Sequence, residues 1–135
     1  MATEENKPSK VIKKKKKALR QVPHGRAYVQ ATFNNTMITF TDLNGNVLTW
    51  SSAGHCGFKG PKKATPFAAS IIVQKAVEQA EKYGIKDVNV FLKGIGAGKD
   101  SAVRALNTYG INVLSITDQT PVPHNGCRAP KPRRI

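Results

Sequence analysis

Carboxylates are scarce in this chain. Its 135 residues hold 8 Asp and Glu against 22 Lys and Arg, a formal net charge of +14. No two of the eight pair in a glycine-rich or strand-end context, so no acid–base pair for catalysis is visible. Cysteine is scarce too. Cys56 and Cys127 are the only two, which fits a reducing compartment better than a disulfide scaffold. No run of about 18 apolar residues exists, so no membrane span is expected. No apolar stretch follows the first lysines, so no secretory signal is expected. The length is one domain's worth of chain, which argues against a multi-domain enzyme.

What is abundant is positive charge, and it is unevenly spread. Residues 1–26 carry a net +7, residues 27–118 a net +3 and residues 119–135 a net +4. Thus 11 of the 14 excess charges sit in two end segments totalling 43 residues. A nearly neutral core with two basic arms suits a polyanionic partner, nucleic acid before anionic membrane. We expect three segments: a basic arm at 1–25, a core at 26–118 and an extended basic tail at 119–135. The arm holds Lys13, Lys14, Lys15, Lys16 and Lys17 in one run, then Arg20. Five adjacent lysines repel one another, and no apolar period offsets the ordering entropy. The arm should therefore order only on a polyanion.

The core reads as alternating strands and helices. Ala27 to Phe33 alternates, with Ala27, Val29, Ala31 and Phe33 on one face. Asn34-Asn35 signals a turn, and Thr36 to Thr41 alternates again, with Ile38 and Phe40 together. A second turn at Asp42 to Asn46 leads to a third strand, Val47 to Ser52, making an antiparallel meander. Residues 53–64 form a glycine-rich basic loop. Thr65 and Pro66 are a cap and first helical residue, Ala69, Ile72 or Val73, Ala76, Ala80 and Tyr83 make one apolar stripe, and Gly84 is the expected C-terminal cap. A strand at 87–92, a helix near 99–109 capped by Gly110, and a strand at 112–117 follow. The order βββαβαβ predicts a mixed five-stranded sheet with right-handed crossovers. If both crossovers travel the same way, both helices cover one face. Four prolines between 121 and 132 keep the tail out of regular structure.

Several motifs invite chemistry. Gly94-Ile95-Gly96-Ala97-Gly98-Lys99 follows a strand and opens a helix. It fails the Walker pattern at Lys93 and Asp100 and the dinucleotide pattern at Lys99. Two readings remain: a tight turn, or helix-start N–H groups with Lys99 on a backbone phosphate. His55, Cys56, His124 and Cys127 lack two well-spaced ligand pairs, so no metal is expected, and no cofactor either. In the loop, Gly54, Gly57 and Gly60 allow close backbone approach, Lys59, Lys62 and Lys63 supply charge, and Phe58 offers a ring. That mixture suits RNA, which is read through shape, phosphates and stacking. Asn34 and Asn35 offer small polar groups at a hairpin tip. Asn125-Gly126 is a candidate for slow isoaspartate formation, because glycine does not hinder attack on the Asn carbonyl.

Phe33-Asn34-Asn35-Thr36, Ser52-Ala53-Gly54, Gly57-Phe58-Lys59-Gly60, Thr65-Pro66-Phe67-Ala68-Ala69, Gly94-Ile95-Gly96 and the stretch Thr120 to Arg128 resemble the small-subunit ribosomal protein eleven family. The His124-Asn125-Gly126-Cys127-Arg128 ending is similar to the bacterial and organellar branch. The resemblance implies a ribonuclease H-like α/β fold and a structural role, not an enzyme. It implies binding to small-subunit rRNA in the platform, beside neighbouring platform proteins, near the mRNA exit and the Shine–Dalgarno helix. It implies a ribosome-bound place in the cytoplasm, or in the stroma or matrix for an organellar member. By motif, the rRNA contacts would be Asn34, Asn35, Gly54 to Lys63, Lys99, and His124, Asn125, Arg128, Lys131, Arg133 and Arg134. Two positions depart from the family pattern: Pro61-Lys62, where a small residue and Arg are frequent, and Ala64, where Ser is usual. The alternative is a metal-dependent nucleic-acid enzyme of ribonuclease H-like fold. It would need clustered carboxylates, and Asp42, Asp87, Asp100 and Asp118 fall in separate contexts.

Overall fold

The computed structural model describes residues 20–134. Five strands form one sheet: β1 (His24–Ala31), β2 (Thr36–Thr41), β3 (Val47–Ser52), β4 (Asp87–Gly94) and β5 (Asn112–Asp118). Two helices, α1 (Pro66–Ala80) and α2 (Gly98–Thr108), complete the α/β architecture, with short 3-10 turns at Gly60–Ala64 and Glu81–Tyr83.

The sheet order is β3-β2-β1-β4-β5. β1, β2 and β3 pair antiparallel, while β4 lies parallel to β1 and β5 parallel to β4. The two crossovers, β3 to β4 through α1 and β4 to β5 through α2, travel the same way along the sheet. Right-handed connections therefore place both helices on one face. The alternation of β1 and β2 supplies that face with Ala27, Val29, Ile38 and Phe40, all buried. β4 adds Val88, Val90 and Leu92. The helices answer with Ile72, Val73, Ala76 and Leu106. Phe40 is fully enclosed, and burying a ring of that size contributes about 2–3 kcal/mol.

Element ends follow local chemistry. Thr65 caps α1 as its side-chain oxygen accepts from the Ala68 N–H at 3.2 Å, and Pro66 opens the helix. α1 tightens into its 3-10 turn before Gly84 stops it in the left-handed region, φ 69°. β1 differs from the sequence expectation. It starts at His24 and ends at Ala31, so Phe33 leaves the core face and is 73% exposed. The cause is Thr32, whose hydroxyl oxygen accepts from the N–H groups of Asn34 and Asn35 at 3.3 and 3.0 Å. The turn therefore begins two residues before the Asn pair does.

Candidate nucleic-acid interface

At the β1–β2 tip, Thr32 N–H donates to the Asn35 carbonyl at 2.8 Å, which closes the loop. The Asn35 side-chain oxygen accepts from Thr36 N–H at 2.9 Å. Asn34 is exposed and Asn35 half-exposed, with no partner found for either side-chain amide nitrogen among the described residues. Phe33 stands beside them in solvent.

The 53–64 segment is folded, not slack. Cys56 N–H donates to Ser52, Gly57 N–H to Gly54 and Phe58 N–H to Ala53, all carbonyls, at 3.0 to 3.2 Å. Gly57 sits at φ 92°, where a side chain would be strained. The last five residues wind into the Gly60–Ala64 turn, which Thr65 ties down by donating its hydroxyl to the Lys62 carbonyl at 2.8 Å. Lys59 and Lys62 are exposed and Lys63 half-exposed. The Phe58 ring packs partly against the core and meets Phe67 edge-on at 6.1 Å. Phe67 is 68% exposed, so Phe33 and Phe67 present more free ring than Phe58 does. The sequence pattern puts Phe33 on the core face and gives Phe67 no contact role. The signal for Phe67 was its place in the first turn of α1, ahead of the apolar stripe.

The tip and the loop meet. Phe33, Asn34, Gly60, Pro61 and Lys63 line one open cleft of about 400 Å³. Two segments 26 or more residues apart in sequence thus present rings, amides and ammonium groups to one place.

Lys99 is placed differently. Its ammonium pairs with Asp118 at 2.6 Å and reaches the Gly94 carbonyl at 3.4 Å. Asp118 also accepts from the Thr120 hydroxyl at 2.6 Å and the Thr120 N–H at 3.0 Å. These donors hold its carboxyl well below the usual carboxylate range, Lys99 first and Thr120 next. Together they latch the start of the tail to the 94–99 turn. The glycines of that turn have packing roles. A Cβ on Gly94 would run into the Ala31 carbonyl, one on Gly96 into Thr32, and one on Gly98 into Thr36 and Ala69. The tail beyond Thr120 has no helix or strand, and His124, Asn125, Arg128, Lys131, Arg133 and Arg134 are exposed along it. Arg20 is exposed and pairs with the buried Asp42 at 3.5 Å. Lys13, Lys14, Lys15, Lys16 and Lys17 lie outside the described residues.

The aspartates do not gather. Asp42 accepts from Asn44 and Asn46, Asp87 pairs with His24 at 3.3 Å, and Asp118 serves the latch. Among the described residues, no group of three or more His, Cys, Asp or Glu could hold a metal. No described helix is long and apolar enough to cross a membrane.

A small α/β scaffold with cationic loops, exposed rings at its turns and a basic tail has the features of a nucleic-acid-binding structural protein. The profile of Ribosomal protein S11 matches residues 25–134. Two relatives, each a small ribosomal subunit protein uS11, come from two strains of Treponema pallidum, one of them the Nichols strain. Each is 54% identical over 124 residues, covering 92% of this chain and 98% of the relative. The chain belongs to the ribosomal protein S11 family. It is a structural protein of the small ribosomal subunit, not an enzyme, and works bound to the ribosome.

Proposed function

We propose that this protein binds small-subunit rRNA through one continuous surface: the tip at 33–35, the loop at 54–63, the start of α1 and the tail at 119–135. The basic segment at 1–20 adds a second arm, and the core, which Val22 joins through its N–H to the Tyr83 carbonyl and β1 opens at His24, is the scaffold that spaces them. Lys59, Lys62, Lys63 and the tail arginines meet phosphates, and Asn34 and Asn35 meet sugar or phosphate oxygens. Gly54, Gly57 and Gly60 keep the loop backbone open to close approach. Lys99 takes part by holding the turn and the tail root in place, since Asp118 already balances its charge. On the subunit, the protein sits in the platform beside its protein neighbours and shapes the mRNA exit cleft near the Shine–Dalgarno helix, within reach of mRNA.

The observation that carries this reading is the cleft where Phe33 and Asn34 meet Gly60, Pro61 and Lys63. The test is filter binding to a platform rRNA fragment with a Lys62→Glu/Lys63→Glu double variant. Two reversed charges at a phosphate contact should weaken binding at least about ten-fold and flatten its salt dependence. Unchanged affinity and salt dependence would remove the loop from the interface.

A further inference from the structure

The helices cover one face of the sheet, and among the described residues nothing covers the other. Cross-strand register lines up a row on that open face. Trp50 lies opposite Thr39, Thr39 opposite Tyr28, and Tyr28 opposite Phe91. The Tyr28 and Phe91 rings stack at 5.2 Å between centroids and 18° between planes. The Arg26 guanidinium lies 5.8 Å from the centre of the Phe91 ring. Trp50 is 49% exposed and leans on His55 at 5.0 Å.

Free charge on this face is positive. Along β1 and β4, Arg26 and Lys93 alternate onto it with Tyr28 and Phe91. The carboxylate in the same rows, Asp87, is at the far end and paired with His24. A protein laid over this face would have to bring its own carboxylates for Arg26 and Lys93. A nucleic-acid strand brings phosphates and flat rings together. Duplex RNA keeps its bases stacked inside, so only unpaired bases can reach the aromatic row. The Lys93 end of this face lies toward the tip, since Gln30 and Lys93 immediately precede Ala31 and Gly94 where the turns begin.

We propose that this open face binds single-stranded RNA, with unpaired bases stacked on Trp50 and on the Tyr28–Phe91 pair and with Arg26 and Lys93 on the phosphates. The proposal rests on the reading of the chain as RNA-binding but uses the open sheet face, which meets the loop only where Trp50 leans on His55, rather than the tip, loop and tail.

Trp50 is the sole tryptophan of the chain, so its fluorescence reports this face directly. The full-length protein would be titrated with an unstructured oligouridylate of about ten nucleotides, and with a duplex of equal length. The single strand should quench Trp50, and the duplex should leave it close to the free state. Phe91→Leu and Lys93→Ala should each weaken oligouridylate binding, Phe91→Leu by about ten-fold, the worth of one stacked base. Both should leave binding of a platform rRNA fragment within about two-fold, because the loop and tail carry that binding. Lys93 is exposed, so its variant reads the face even if Phe91→Leu fails to fold. If rRNA binds while Trp50 stays unquenched and both variants match the parent, this proposal is wrong and the rRNA reading stands. If neither RNA binds, both are wrong. Photo-crosslinks from the Trp50 or Phe91 peptides to protein alone, in assembled subunits, would mark a protein-docking face and overturn the proposal.

Discussion

Gly94 has a φ of 105°, and a side chain there would strike the Ala31 carbonyl. Gly94→Ala should therefore cost at least about 2 kcal/mol in chemical denaturation, combining backbone strain with a displaced strand end. The glycine run was legible as a turn into a helix. Its cause was not, because the obstacles, Ala31, Thr32, Thr36 and Ala69, lie far earlier in the chain. Asp118 gives a second expectation. Its carboxyl is held low by Lys99 and Thr120, so the stability it contributes is fully present above its free value of 3.8. That contribution fades as pH falls below this value toward the lower folded one. Asp118→Asn should lower stability at neutral pH and flatten the acid limb of a plot of denaturation midpoint against pH. Asp42, also held low by the Asn46 and Asn44 N–H groups, keeps its own part of that limb. A variant with an acid limb as steep as the parent's would contradict the latch. Asn125 is exposed with φ 70°, next to Gly126. Aged protein should accumulate isoaspartate at 125, and peptide maps that stay unchanged would refute this.

At the scale of elements, local signals were read well and distant ones poorly. Thr65-Pro66, the Ala69 to Ala80 stripe, Gly84 and the β2 alternation are chemistry between near neighbours, and each stands where the pattern put it. Phe33 went astray because alternation alone cannot show a strand stopping early; a single hydroxyl, that of Thr32, captures the next N–H groups instead. The Lys99–Asp118 pair spans 19 residues and depends on β5 lying beside β4, so no spacing rule reaches it. The meeting of tip and loop likewise follows from β2–β3 pairing. The tail is the element with the clearest separate prediction. Arg128, Lys131, Arg133 and Arg134 are exposed, and prolines hold such a stretch extended, which lowers the entropy lost on docking. Each phosphate contact contributes roughly 0.7–0.9 to the log–log salt slope. Deleting residues 128–135 should flatten the slope for rRNA by about 2–4 units and leave the thermal unfolding of the core intact. Unchanged affinity and slope would show a tail that merely sits in solvent, and an unfolded product would show a tail that belongs to the core.

For the molecule as a whole, the division of labour follows from where charge sits. The core at 27–118 has a net charge of only +3 and closes around an apolar centre, while the end segments hold the remaining excess. A near-neutral scaffold folds without self-repulsion, and the basic parts stay free for a polyanion. Lysine footprinting in assembled small subunits tests the central claim most directly, because it compares residues within one chain. Lys59, Lys62, Lys63 and Lys131 lie on the proposed rRNA surface. Lys75 and Lys82 lie exposed along α1 and the turn after it, away from that surface. Mass spectrometry after brief acetylation should show the first four protected by assembly and the last two as reactive as in the free protein. Equal reactivity at Lys59, Lys62 and Lys63 before and after assembly, or protection confined to Lys75 and Lys82, would contradict the account.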